Sequence, residues 1–254
     1  MDSTKTDPMT IERLGDLTVL RLDWQGVPAG MDPEMTESLW SFFDLERMQP
    51  SKVLLVFAAS ELVGPDSLEI LTSGDGPSGA EGRWATGSLQ QRRMVREENV
   101  LRRWVEAVRE LPTYVIGVIR GEVALRRLAP FLACDYRIAA DDTRIVNTLQ
   151  QMPVAPTGGV PWFMTRLVGP ARTSNILLEL TELSAPQARG LGLVNYLALP
   201  DELEQKALEV AQKFASMPRA ALVGVKRAMV ESCEDLSTYL NRESELVRRL
   251  SADN

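Results

Sequence analysis

The 254-residue chain contains no histidine. That absence removes Ser-His-Asp and Cys-His nucleophilic machinery, together with every histidine zinc site. The two cysteines, Cys134 and Cys233, are too few and too far apart for a disulfide framework or a cysteine metal cluster. No apolar run approaches the roughly 18 residues that a membrane span needs. The first residues, MDSTKTDPM, lack the basic and apolar segments of a signal peptide. Basic charge is also in deficit: 28 Lys and Arg stand against 35 Asp and Glu, a net charge of −7. Nucleic acid and anionic membrane are therefore poor partners. The expectation is a cytoplasmic protein with no bound metal, whose proton chemistry comes from carboxylates, Lys, Tyr, Cys or the substrate itself.

What is present is an ordinary globular composition, 44% hydrophobic and 25% charged, in a chain long enough to bury a substantial core. IERLGDLTVLRLDW reads as two strands around a Gly-Asp turn. Asp32 and Pro33 open a helix that carries Met35, Leu39, Phe42 and Phe43 at helical spacing. KVLLVFAA is a strand buried on both faces. The stretch from 72 to 89 is rich in Gly, Ser and Ala and reads as a long loop. A helix ending at Pro112 follows, with Met94, Leu101, Trp104, Val105, Val108 and Leu111 on one stripe. Further strands, TYVIGVIRGEV and DYRIAAD, alternate with helices, and helices gather towards the C-terminus. This order indicates an α/β fold.

The run ACDYRIAADDTRI, then P-x-GG, then TRLVGPARTSNILLELTELSAPQARGLGLVN, then VKRAM, closely resembles the crotonase (enoyl-CoA hydratase/isomerase) superfamily. The resemblance is strong from about residue 111 to 230 and weaker before it. It implies a repeated ββα spiral with a C-terminal helical trimerisation region. The division drawn is a spiral core over 1–200 and a helical region over 201–254. It further implies a homotrimer or hexamer and an acyl-CoA thioester as ligand, with coenzyme A as the substrate's carrier rather than a resident cofactor. Family chemistry stabilises a thioester enolate with two backbone N–H donors, each worth roughly 3–4 kcal/mol, while carboxylates move the protons.

Carried over residue by residue, the family pattern G-x-A-x-G-G-G-x-E-L-A-x-x-C-D runs from Gly121 to Cys134–Asp135. Its three glycines fall on Leu125, Arg126 and Arg127, and its glutamate on Ala129. The second family glutamate falls on Leu149. Both hydratase carboxylates are absent, so simple syn hydration is not expected. Pro130 lacks an N–H and fits a first helical turn, which predicts a helix start near Ala129. By the same resemblance, Arg126 and a position near Asp66 supply the oxyanion donors, and the two could form an ion pair.

Arg126 and Arg127 admit three readings: a solvated or inter-subunit basic patch, a plug paired with Asp66, or a fork for a substrate carboxylate. Lys226 in VKRAM matches a position that approaches CoA phosphate in the family, with a plain helix-surface lysine as the alternative. Cys134 reads as buried packing, Trp104 as core, and Gly158–Gly159 as the turn before a helix. Glu61, Glu69, Asp75 and Glu81 read as surface charges of the long loop, any of which could serve as a substitute base. Two functions follow. One is a divergent lyase or isomerase acting on an acyl-CoA, or a carrier-bound acyl thioester, through its enolate. The other is a catalytically inactive subunit, a pseudoenzyme of the same fold, that binds or assembles with an active paralogue.

Overall fold

Gly15, at φ +62°, turns the chain between β1 (Met9–Leu14) and β2 (Leu17–Leu22), which pair antiparallel. The computed structural model describes residues 9–22, 33–58, 88–147, 149, 156–232 and 236–252. Helix α1 (Pro33–Met48) starts at its proline; Asp32, its expected cap, lies outside the described residues. Strand β3 (Val53–Ala58) follows, then the long helix α2 (Ser88–Glu110), which ends just before Pro112 as the sequence predicts. The chain continues through β4 (Tyr114–Ile119), β5 (Glu122–Ala124), a 3-10 turn over Leu125–Arg127 and the short α3 (Ala129–Leu132).

Strands β6 (Tyr136–Ala140) and β7 (Arg144–Val146) come next, then α4 (Val160–Val168) and α5 (Pro170–Leu178). A short β8 (Glu182–Ser184), α6 (Ala185–Gly190) and β9 (Tyr196–Ala198) complete the strands. Ser184 caps α6 in a reciprocal capping box with Gln187. Helices α7 (Leu203–Ala215), α8 (Arg219–Ser232) and α9 (Leu236–Ala252) follow.

The large sheet runs β1-β2-β3-β4-β6-β9, parallel throughout except for the first hairpin, and the small sheet runs β5-β7-β8. Successive turns of the chain place one strand in the large sheet and the next in the small one: β4 then β5, β6 then β7. This is the ββα spiral that the sequence led us to expect.

Period-two alternation explains why both faces of the large sheet are buried. Leu20, Leu54, Val56, Val115 and Ile119 face one core, shared with α1, α2 and α3. Val19, Val53, Leu55, Ile116 and Val118 face the other, where Leu203, Ala207 and Ala211 of α7 close over them. Each fully buried Leu, Ile or Val contributes about 1.5–3 kcal/mol, so the two cores hold the spiral rigid around the β5–α3 turn. Gly117 sits in β4 on the first face. A Cβ there would lie 2.8 Å from Cys134 Sγ and 3.1 Å from Phe131, so the missing side chain lets α3 press directly on the strand.

Candidate active site

The β5–α3 segment is a strand, a turn and a helix start, held from below by Gly117. Gly121 enters it with φ +72°, in the left-handed region that glycine adopts at little cost. The helix begins at Ala129 with Pro130 in its first turn, where the missing N–H is no loss. Before it, Leu125–Arg127 wind into a 3-10 turn, and neither the turn nor the helix carries a side-chain cap. Arg126 and Arg127 are 4% and 2% exposed. The expectation of a solvated basic patch is therefore corrected: both side chains are inside the fold. Asp66, and with it the Arg126–Asp66 pair, lies outside the described residues, as do Glu61, Glu69, Asp75, Glu81 and Trp84.

Ala129 has no exposed surface, and Leu149 is half-buried against the same core. The Leu149 amide donates to Asn147 Oδ1 at 3.0 Å, while the Asn147 side-chain amide binds the carbonyls of Ile176, Leu177 and Leu180. The Gly158–Gly159 turn closes on this wall. A Cβ on Gly158 would stand 3.2 Å from Ala129 Cβ and 3.1 Å from Leu101 Cβ. Both glycines have positive φ, +70° and +93°, and Gly159 caps α4, as the sequence predicts.

Two acids that the sequence reading passed over are buried on α2 and α9, and one of them bonds this turn. Glu243, from α9, is 6% exposed and accepts the Gly159 N–H on Oε2 at 2.9 Å. Glu98, from α2, is 4% exposed and lies one helical turn before Leu101, whose Cβ a side chain at Gly158 would meet. Burial pushes the Glu243 carboxyl up to about 7, and the Glu98 charge adds to the rise. Hydrogen bonds from the Tyr239 hydroxyl and the Gly158 and Gly159 amides pull the other way. Glu98 Oε1, Glu243 Oε1 and Thr157 Oγ1 are buried without a hydrogen-bond partner among the described residues.

Lys226 is not available to a CoA phosphate in this structure. It is 2% exposed, and its ammonium reaches Asp135 Oδ2 at 2.9 Å and the carbonyls of Val108 and Thr113 at 2.7 and 2.8 Å. Three donors meet three acceptors, which spends the ammonium. Burial pushes Asp135 up and Lys226 down, and each pulls the other back towards its charged form. Cys134 is buried packing, its thiol pushed up to about 12 by burial. Trp104 is core, edge-on to Phe43 with ring centres 5.1 Å apart.

The enoyl-CoA hydratase/isomerase family model matches residues 70–253. An enoyl-CoA isomerase/hydratase of Mycosarcoma maydis is 29% identical over 152 residues, which cover 57% of this chain and 56% of that one. A probable enoyl-CoA hydratase of Mycobacterium tuberculosis is 27% identical over 130 residues, covering 51% and 50%. The chain thus spans only about half the length of the curated relatives it matches. Similarity in fold extends further. An enoyl-CoA hydratase structure from Bacillus halodurans superposes with a TM-score of 0.78 at 22% identity, covering 96% of this chain and 95% of that one. A probable enoyl-CoA hydratase structure from Mycobacterium smegmatis gives 0.70 at 20% identity, covering 95% and 93%.

Proposed function

The chain belongs to the enoyl-CoA hydratase/isomerase family, and on that premise we propose that it acts on an acyl-CoA, or a carrier-bound acyl thioester, by stabilising the thioester enolate. The observation that carries this reading is the strand–turn–helix of residues 122–132, present in full with a buried Ala129 where the family places a glutamate. The turn keeps its place in the fold, and the first N–H groups of a helical turn have no partner within that turn. Such donors, aimed where negative charge develops, supply the larger part of enolate stabilisation. Without carboxylates at 129 and 149, addition of water across a double bond loses two proton-transfer roles, each worth about 10²–10⁴-fold. Chemistry that reaches the enolate without a glutamate base, by loss of carbon dioxide or of a substrate leaving group, fits better than syn hydration.

Assembly as a homotrimer or hexamer through the C-terminal helices belongs to the same proposal. Val225 and Met229, one turn apart on α8 and 56% and 59% exposed, supply an apolar face for it. A second reading draws on Arg126 and Arg127: two guanidinium groups buried at the turn suit a site closed to thioesters, in a subunit that pairs with an active paralogue.

Titration with acetoacetyl-CoA, following heat and the ultraviolet absorbance of the bound enolate, separates the two. Binding with enhanced enolate absorbance supports the enzyme. Absence of binding overturns it and leaves the assembly subunit.

A further inference from the structure

The described strands that end a sheet are of two kinds. β9, at one end of the large sheet, and β5 and β8, at the two ends of the small one, are three residues long. Short edges offer little to an added strand, which is one way that proteins keep their sheets from joining. β1, at the other end of the large sheet, is six residues long, and five of the six are exposed. Its sequence, MTIERL, holds no proline and no lysine, and its register against β2 runs from Met9↔Leu22 to Leu14↔Leu17 without a bulge. Among the described residues β2 is its only strand neighbour.

The hairpin fixes which backbone groups face outward. Leu14 and Leu17 flank a two-residue turn, the position at which a hairpin pair exchanges both its hydrogen bonds. Thr10, Glu12 and Leu14 therefore spend their N–H and C=O groups on β2, while Ile11 and Arg13 turn theirs away from it. The side chains of Ile11 and Arg13 share one face of the strand. On that face Arg13 reaches Glu46 at 3.3 Å and the Gln49 carbonyl at 3.4 Å, so the end of α1 stands within one arginine's length of β1. Exposed apolar side chains flank this edge: Ile11 on the strand, at 45%, and Leu45 and Met48 on the last turns of α1, at 44% and 81%. The charges of the strand are tied back to their own chain, Arg13 to Glu46 and, on the other face, Glu12 to Arg21 at 3.8 Å. They do not ward off an incoming strand as free edge charges do.

We propose that β1 is the docking edge for a second copy of this chain, whose own β1 pairs with it antiparallel about a two-fold axis centred on Ile11. A two-fold between antiparallel strands sets one residue opposite its own copy and every other pairing twice. Charge and overlap select the centre. Centring on Glu12 or Arg13 sets like charges directly opposite, which destabilises the pair. Centring on Thr10 confines the overlap to Met9–Ile11. Centring on Ile11 extends it from Met9 to Arg13, with Ile11 against Ile11, Thr10 against Glu12 and Arg13 against Met9. The Thr10 hydroxyl then has a carboxylate to donate to, and the two Ile11 side chains join the apolar shoulder of one α1 to that of the other. The outward N–H and C=O of Ile11 bond those of its copy, and two six-stranded sheets become one. This surface is separate from the C-terminal helices and from the site turn, so its failure leaves the thioester reading and the three-fold assembly untouched.

The test uses the full chain in sedimentation, with the variants Ile11→Lys, Ile11→Cys and Leu14→Cys. Wild type should sediment as an even multiple of the chain. Ile11→Lys sets two ammonium groups face to face on the axis and should halve that multiple, with the urea midpoint unchanged because the position is exposed. Cross-linking gives a second readout that does not depend on that variant. Under mild oxidation Ile11→Cys should link to its own copy, since opposite Cα atoms in such a pair stand about 5.5 Å apart, within disulfide reach. The two copies of Leu14 stand about 20 Å apart in this register. Leu14→Cys should therefore give only the background that wild type gives from Cys134 and Cys233. Ile11→Lys at the wild-type mass overturns the pairing, as does cross-linking of Leu14→Cys with none of Ile11→Cys. A wild type of odd multiple that gives no Ile11→Cys cross-link overturns it as well, and leaves the edge to a strand of another protein.

Discussion

The Lys226 ammonium stands 2.9 Å from the Asp135 carboxylate, 2% and 14% exposed at their side chains. Two residues that the sequence presents in separate motifs, one in CD and one in VKRAM, are thus a single buried ion pair tying α8 to the entry of β6. Its geometry is completed by the Val115 amide, which donates to the same Asp135 oxygen at 2.8 Å.

Removing one half of such a pair leaves a buried charge without its counter-ion, which costs about 3–5 kcal/mol. Lys226→Met should lower unfolding stability by about that amount in urea titration. Adding Asp135→Asn should recover part of the loss, because the stranded charge disappears with it. A Lys226→Met protein as stable as wild type would show that the pair contributes nothing.

Gly117 is the floor beneath the site turn. Gly117→Ala should push Cys134 and Phe131 away from β4 and destabilise the protein by about 1–3 kcal/mol, the usual cost of overpacking. Pairing it with Cys134→Ala should relieve the nearer clash, 2.8 Å at Sγ. The denaturation midpoints of the single and double variants check this.

Glu243 gives stability a pH dependence of defined sign. Its folded-state value lies above the unfolded one, about 7 against 4.5, so the native state binds the proton more tightly. The contribution of this carboxyl to stability is therefore fully present below about pH 4.5 and is lost as pH rises through about 7, by on the order of 3 kcal/mol in all. Glu98 and Tyr239 face this carboxyl, and Arg166 acts on Tyr239. Glu243→Gln should flatten the profile over that window. Urea midpoints at pH 5 and pH 8 measure the difference.

The Cys134 thiol, fully buried and pushed up to about 12, should be inert. Thiolate is the reactive form, so native protein exposed to iodoacetamide at pH 8 should leave the Cys134 peptide unmodified, and unfolded protein should modify it fully. Mass spectrometry of the peptide reads the outcome.

Much of the fold was legible because its signals are local and periodic. The Gly15 hairpin, the β3 apolar run and the Pro130 helix start all stand where sequence chemistry puts them. The site was less legible. Arg126 and Arg127 admitted a basic patch, a plug or a carboxylate fork, and the spiral folds both inward, since burial is set by the tertiary position of a turn and not by residue type. Lys226 matched a motif, but its neighbours come from residues 108 to 135, which no local pattern announces. A signal for the two buried acids did exist. Glu98 falls on the same stripe as Leu101 and Val105, and Glu243 on that of Leu236 and Leu240, so each is an acid on the apolar face of an amphipathic helix. Such an acid must be paired, protonated or used.

Glu243 lies 84 residues beyond the glycine whose amide it receives. At ordinary synthesis rates of roughly 5–20 residues per second, the nascent chain holds the start of α4 without its anion for on the order of ten seconds. The helix that closes this turn thus leaves the ribosome only after β9 and α7 have done so. A growing chain can complete both faces of its large sheet from β9 and α7 before α9 docks, so the glycine turn receives its carboxyl in a step separate in time from the folding that precedes it.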